Sequence, residues 1–272
     1  DPPLQQLPKG RVVRDAVVAR EGTAFVMADF HNMEMRAIAS LAGETAMIEA
    51  FERGEDLHGF VARALYGEGF TKKHRGVCKN GNFSKVYGSG IPKFAATAKI
   101  DLATAQTFMA EYDRMFPKVK TYLEDTVRAI YEQCGGNRRG YGYVELQDGR
   151  RLPVEADKAY VGVNYRIQGG CAVTVKKKIV ELDAAGLGPY FRLPVHDELI
   201  FEVPFDLADD AKRVIERVMP DRNDWPGITL EIDTDVVSRW GEHFRGDDYP
   251  EYIPTTPAPW MVQSEVEEVA TT

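Results

Sequence analysis

The sequence predicts an α+β fold, in which strands near the two ends of the chain flank a long helical middle. Three observations carry this reading. The apolar run Ala24-Phe25-Val26-Met27-Ala28 has strand character and ends on Asp29. Two further apolar runs, 191–195 and 199–203, enclose the turn His196-Asp197-Glu198, and the second alternates as Leu199-Ile200-Phe201-Glu202-Val203. Between these regions Arg75, Lys79, Phe83 and Tyr87 recur every four residues, with Gly88 closing the run. On an α-helix that spacing makes one slowly spiralling stripe.

The elements follow in order. Residues 1–45 read as an extended lead-in, a buried strand and the start of a helix after Asp29. Residues 44–69 read as helix, with apolar Ile48, Phe51, Phe60, Ala64 and Leu65. A helix over 72–87 is broken by Gly88-Ser89-Gly90-Ile91-Pro92. Residues 102–133 read as two helices separated at Pro117. Gly135-Gly136 opens a loop and a hairpin over 138–155. A helix over 157–185 carries Asn164 and Gln168 on one face. After the hairpin around Asp197 come a helix over 206–218 and a strand over 228–236, ahead of Trp240-Gly241. Residues 248–272, rich in Pro, Thr and Glu, read as an extended tail. No internal repeat is visible.

Composition narrows the function classes. The chain has 272 residues, 44% of them apolar, enough for one large domain or two smaller ones. No apolar run reaches membrane-span length and no signal peptide is visible, so no membrane partner is expected. The chain begins with Asp1, which suggests a fragment or a processed product. Three widely spaced cysteines make no zinc pattern and suggest a reducing compartment. The net charge of -8 hides a local asymmetry. Residues 71–100 hold Lys72, Lys73, Arg75, Lys79, Lys85, Lys93 and Lys99 with no acid. Arg138, Arg139, Arg150 and Arg151 form a second basic stretch, and Lys176-Lys177-Lys178 a third. Local basic surface of this kind contacts phosphates whatever the overall sign.

The acids suggest the chemistry. A carboxylate in a turn between buried strands is costly unless something uses it, and a metal ion is the usual user. Two strands delivering Asp29 and Asp197 to one point could bind a pair of Mg2+ ions, the arrangement that catalyses in-line phosphoryl transfer. The cations of the helical stripe suit a triphosphate, and its aromatics suit a base and a template nucleotide.

Several segments together resemble the family A, polymerase I-type DNA polymerases. Asp29-Phe30-His31-Asn32-Met33-Glu34-Met35-Arg36 resembles motif A. The Arg75, Lys79, Phe83, Tyr87-Gly88 stripe resembles motif B, the O helix. Val195-His196-Asp197-Glu198 resembles motif C. Asp56-Leu57-His58, Gly142-Tyr143-Val144-Glu145, Gly149-Arg150-Arg151, Asn164-x3-Gln168-Gly169 and the opening Asp1-Pro2-Pro3-Leu4-Gln5-Gln6-Leu7-Pro8 also match family elements, in family order. The family's Ser-Gln after the motif A aromatic is His31-Asn32 here, and its Gly after the O-helix Phe is Ser84. The Arg-Leu-Ser-Ser element, the thumb and a proofreading exonuclease have no counterpart in the sequence.

The resemblance implies a palm with an antiparallel sheet and helical fingers. The palm would comprise residues 1–45 and 156–247, the fingers 46–155, with a tail at 248–272. It implies a two-metal DNA polymerase that adds deoxynucleotides to a primer, with Mg2+ as the ions and Mn2+ able to substitute. Asp29 and Asp197 would bind metal, while Glu198 would touch metal through water or support the site. Glu34 would exclude a 2′-hydroxyl. Arg75, Lys79 and His58 would hold the triphosphate, and Lys79 would also protonate the leaving pyrophosphate. Phe83 would pack on the sugar and base, and Tyr87 would stack at the template position. Asn164, Gln168 and Arg150 or Arg151 would contact primer–template, and His196 would face the primer end. The implied partners are primer–template DNA, a dNTP and a thumb-bearing or processivity partner, in a bacterial or phage-infected cell. Single-subunit RNA polymerases share the palm, but Glu34 and Phe83 argue against them. A non-catalytic piece of a split polymerase is opposed by Asp29, Asp197, Lys79 and Arg75 all being present.

Overall fold

The computed structural model describes Leu4, Leu7 and residues 11–243. The expected tail at 248–272 and most of the lead-in lie outside the described residues. In chain order the elements are α1 (Arg11–Arg14), β1 (Thr23–Phe30), α2 (Met33–Ala42), α3 (Thr45–Glu52), α4 (Leu57–Tyr66), α5 (Lys72–Val86), α6 (Ile91–Ala98), α7 (Leu102–Met115), α8 (Pro117–Gln133), β2 (Tyr141–Glu145), β3 (Arg151–Glu155), α9 (Val161–Leu182), β4 (Phe191–Val195), β5 (Glu198–Pro204), α10 (Ala208–Val218) and β6 (Ile232–Val237). They fall into two compact units. Among the described residues, the first comprises those up to His31, Val175–Asp221 and those from Glu231 on, and the second comprises Asn32–Thr174 and Arg222–Leu230.

The first unit is built on an antiparallel sheet in the order β4-β5-β1-β6. With β1 inside the sheet, Ala24 to Ala28 are all buried. This is why that strand reads as a continuous apolar run rather than an alternating one. Phe25 and Met27 on β1, Ile200 on β5 and Val237 on β6 join Ala19, Val195 and Trp240 in one apolar cluster. Side chains two apart along a strand share a face, so Asp29 continues the row of Phe25 and Met27 at the strand's end. Helix α10 packs on β1, β5 and β6, burying Ala208, Ala211 and Ile215 at helical spacing. Buried Glu202 on β5 is held by Arg20 (N 2.9 Å, Nε 3.1 Å), Thr23 Oγ1 (3.0 Å) and Arg192 Nε (3.0 Å). Burial works against its ionisation, but these hydrogen bonds pull its carboxyl down to about 2.

The second unit holds α2 to α8, the β2–β3 hairpin, the first part of α9 and residues 222–230. Helix α5 packs against α4, α6 and α7. Gly81 makes the approach to α7 possible, because a Cβ there would lie 2.2 Å from the Phe108 ring. Phe94, Phe108, Tyr112 and Phe116 form a chain of ring contacts beside it. Ile130 of α8 packs with Val144 of β2, Val154 of β3 and Ala159.

The expected helix over 44–69 is two helices. Gly54 takes a positive φ of 68°, which stops α3. Asp56 then caps α4 by accepting from the Gly59 N–H at 2.8 Å. The Gly88-to-Pro92 break is real, yet Pro92 sits in the first turn of a further helix, α6, that was not expected. Pro117 does divide α7 from α8, and the hairpin falls within 138–155 as expected. The last strand is shorter at its start and ends at Val237.

Candidate active site

In the first unit, β1 and β5 bring two carboxylates to one end of the sheet. Asp29 stands opposite Glu198 on β5 and opposite Asp233 on β6. Directly opposed residues in an antiparallel pair project to the same face, so three acids share that edge. Asp197 sits in the two-residue connection between β4 and β5, where Val195 pairs with Glu198. His196, exposed in the same turn, takes a φ of 59°. The Phe30 N–H donates to the Asp197 carbonyl at 3.4 Å, which fixes the turn beside the end of β1. Asp29 and Asp197 remain partly accessible.

Glu198 differs from them. It is buried, 6% exposed, and its Oε2 lies 3.9 Å from Nη1 of Arg14, itself 2% exposed. Arg14 also sits 4.3 Å above the Trp240 ring. Among the described residues no group of three His, Cys, Asp or Glu side chains is gathered as a metal centre. The oxygen donors Asp29 and Asp197 nevertheless suit a hard divalent cation. Mg2+ characteristically takes one or two carboxylates and completes its shell with water and substrate phosphate.

In the second unit, the stripe on α5 is real. Helix α5 begins at a capping box, with Thr71 Oγ1 accepting from the His74 N–H at 3.3 Å and His74 Nδ1 accepting from the Thr71 N–H at 3.2 Å. Lys79 is exposed. Arg75 grips Asp56 through two hydrogen bonds, Nε to Oδ2 at 2.6 Å and Nη2 to Oδ1 at 3.1 Å. Burial raises the Asp56 carboxyl, but Arg75 and the Gly59 N–H outweigh it and hold the group below the usual carboxylate range. Phe83 stacks on Tyr87 with centroids 6.0 Å apart, and His58 lies 5.9 Å from Phe83.

Glu34, in the first turn of α2, belongs to the same unit as Tyr87 and Gln168, and the three meet. Gln168 Nε2 donates to Glu34 Oε1 at 3.5 Å. The Tyr87 hydroxyl is enclosed; burial first, then the neighbouring Glu34 carboxylate, push its pKa up, against a smaller opposing effect of Gln168.

The remaining expected residues are more dispersed. Asn164 has its Oδ1 enclosed, without a hydrogen-bond partner among the described residues. Arg150 pairs with Asp148 and Arg151 with Glu145, both on the surface of the hairpin. Two basic stretches need correction. Lys178 is buried and pairs with Glu181 at 2.8 Å and with buried Asp221 at 3.5 Å, so it cannot serve a phosphate. Lys85 pairs with Asp113 at 2.5 Å, leaving the 71–100 stretch less bare of acids than its own sequence indicates.

Sequence reasoning did not single out Asp233 or Asn82, and it quoted Asp56 within the Asp56-Leu57-His58 element without giving it a role. The only local signal was the position of Asp56 ahead of an apolar helical segment. The other two owe their places to strand register and helix packing.

Comparison with known proteins identifies the family. The model of DNA polymerase family A matches residues 1–244. A DNA polymerase of Mycobacterium phage D29 is 34% identical over 251 residues, covering 91% of this chain and 40% of that protein. The thermostable DNA polymerase I of Thermus aquaticus is 31% identical over 260 residues, covering 88% of this chain and 30% of its own. Among solved structures, the POL domain of Pol1 from M. smegmatis, in complex with DNA primer-template and dNTP, superimposes with a TM-score of 0.77 at 29% identity, covering 88% of this chain and 45% of that one. The chain thus spans under half the length of each of these relatives. With its antiparallel sheet, its helical insertion and its motifs in family order, the chain belongs to the family A DNA polymerases.

Proposed function

We propose that this chain is the palm-and-fingers portion of a template-directed DNA polymerase, which adds deoxynucleotides to a primer 3′-OH with two Mg2+ ions. The palm is assigned to 1–45 and 156–247 and the fingers to 46–155. The observation that carries the reading is the register of β1 with β5, which sets Asp29 beside the turn holding Asp197. The M. smegmatis relative, bound to primer-template and dNTP, supports the same partners here. No helix among the described residues is long and apolar enough to cross a membrane.

Asp29 and Asp197 are the residues that would hold the metals, whose chemistry is to activate the attacking hydroxyl and stabilise charge on the transferring phosphate. Buried Glu198, paired with Arg14, acts as support for Asp29 rather than as a ligand. Arg75 exchanges its Asp56 partner for triphosphate oxygens when a nucleotide binds, since a guanidinium fork fits either anion. Exposed Lys79 supplies a second cation and a proton for the departing pyrophosphate. His58 adds a hydrogen bond. Glu34, held by Gln168, occupies the space a 2′-hydroxyl would need. Phe83 and Tyr87 offer stacking faces to the nucleotide and the template. Asn164, Gln168, Arg150, Arg151 and His196 contact the primer–template, and a thumb-bearing or processivity partner belongs to the same reading.

Primer extension tests the proposal. Asp29→Asn and Asp197→Asn should each abolish nucleotide addition while leaving the circular-dichroism spectrum and DNA affinity within several-fold of the parent. Extension by either variant at more than a few per cent of the parental rate refutes the two-metal assignment.

A further inference from the structure

His58 and Asn82 form a buried pair between α4 and α5, with 2% and 0% of their surfaces exposed. Asn82 Nδ2 lies 2.9 Å from His58 Nδ1. An amide nitrogen only donates, so Nδ1 must be the bare, accepting nitrogen of the ring. The proton of the neutral imidazole then sits on Nε2. Asn82 Oδ1 is enclosed and has no hydrogen-bond partner among the described residues. An imidazolium would need an acceptor at Nδ1, and the amide nitrogen cannot be one. Phe83, tilted 48° to the imidazole, packs beside it.

The charged groups on the elements packed around His58 are largely matched. Asp56 of α4 acts on His58 electrostatically, but its charge is shared with Arg75 of α5. Asp113 of α7 is paired with Lys85 of α5, Lys79 is exposed, and Glu49 and Glu52 of α3 are exposed. The Asn82 amide nitrogen, 2.9 Å from Nδ1, faces that nitrogen as a donor and so decides which nitrogen carries the proton.

We propose that Asn82 is a positioning residue: it fixes His58 as the neutral tautomer protonated on Nε2, which makes His58 a directed, uncharged donor to a phosphate oxygen of the incoming nucleotide. The second half rests on the function proposed above. The charge that attracts the triphosphate then comes from Arg75 and Lys79, while His58 supplies direction.

The test begins on the chain alone, labelled with 15N-histidine. Long-range 1H–15N spectra between pH 5.5 and 8.5 should show His58 with a protonated Nε2 and a bare Nδ1, its signals identified by their loss in His58→Gln. In Asn82→Asp a carboxylate faces Nδ1, so the ring should become doubly protonated and its titration midpoint should rise by about one pH unit or more. A parent ring protonated on Nδ1, or an Asn82→Asp ring with unchanged tautomer and midpoint, overturns the proposal. The second readout is the KM for dNTP in primer extension. Asn82→Leu should raise it by up to about ten-fold with kcat nearly unchanged, the scale of one hydrogen bond. In a His58→Gln background the same change should add nothing, whereas an independent effect would show that Asn82 acts through packing of α5 and overturn the positioning role. If the tautomer is as described but His58→Gln leaves KM unaltered, the nucleotide contact is refuted while the tautomer control stands.

Discussion

Asp56 holds two structural duties, and substitutions can separate them. Its Oδ2 caps α4 through the Gly59 N–H at 2.8 Å, and both its oxygens receive the Arg75 fork at 2.6 and 3.1 Å. Losing an N-cap costs about 1 kcal/mol. The ion pair is partly exposed, with side chains 33% and 38% accessible, so solvent screening limits it to about 1 kcal/mol as well. Asp56→Ala removes both and should cost about 2 kcal/mol, whereas Asp56→Asn keeps a capping side chain and should cost about half as much. The pH dependence follows from the direction of the shift. Asp56 ionises below its ordinary range when folded, so its charge stabilises the fold above the unfolded value near 4. That contribution fades as the pH falls from there through the lower folded value. The gap between parent and Asp56→Asn should therefore be constant from about pH 5 to pH 7 and narrow in more acidic buffer. Urea melts across this range measure it. Equal losses for the Ala and Asn variants, or a gap that widens in acid, would refute the division between cap and ion pair.

Three further outcomes are expected. Glu34→Ala should relax sugar selection, because the shortened side chain no longer fills the space beside C2′; the ratio of ribonucleotide to deoxynucleotide incorporation reads this, and an unchanged ratio assigns Glu34 to holding Tyr87 and Gln168 alone. Glu202→Gln should cost about 1–3 kcal/mol at pH 7, since Arg20 and Arg192 lose their shared anion. That loss should shrink as the pH drops from the unfolded value near 4.3 towards the folded value of about 2, where the parent is itself protonated; chemical denaturation at pH 7 and pH 3 compares them. Gly81→Ala should destabilise by about 1–2 kcal/mol despite the better helix propensity of Ala, because its methyl group meets the Phe108 ring; a more stable variant in thermal melts would show that α7 yields without cost.

Periodicity and turn chemistry, which are local, were enough to place β1, β4, β5, α5 and the β2–β3 hairpin, because each is specified by neighbours along the chain. Asp29, Asp197 and the α5 stripe stand out by the same local patterns, whereas Glu34 is singled out only by the family resemblance, because locally it reads as a surface residue in a helix's first turn. Local signals also misled. The exposed turn at Gly54 lies between two apolar helical patterns in the same phase, so α3 and α4 merge in the sequence reading. Pro92 reads in sequence only as a helix breaker, although its fixed φ suits the first turn of α6. Tertiary structure alone decided the partners. The opposition of Asp29 to Glu198 and Asp233 is set by strand register across the sheet. The grip of Arg75 on Asp56 and the pairing of His58 with Asn82 arise where α4 packs on α5. Lys178 reads as one of three surface lysines and is instead buried against Asp221. A charge in sequence carries no record of its burial, because burial depends on residues far along the chain that only folding brings near.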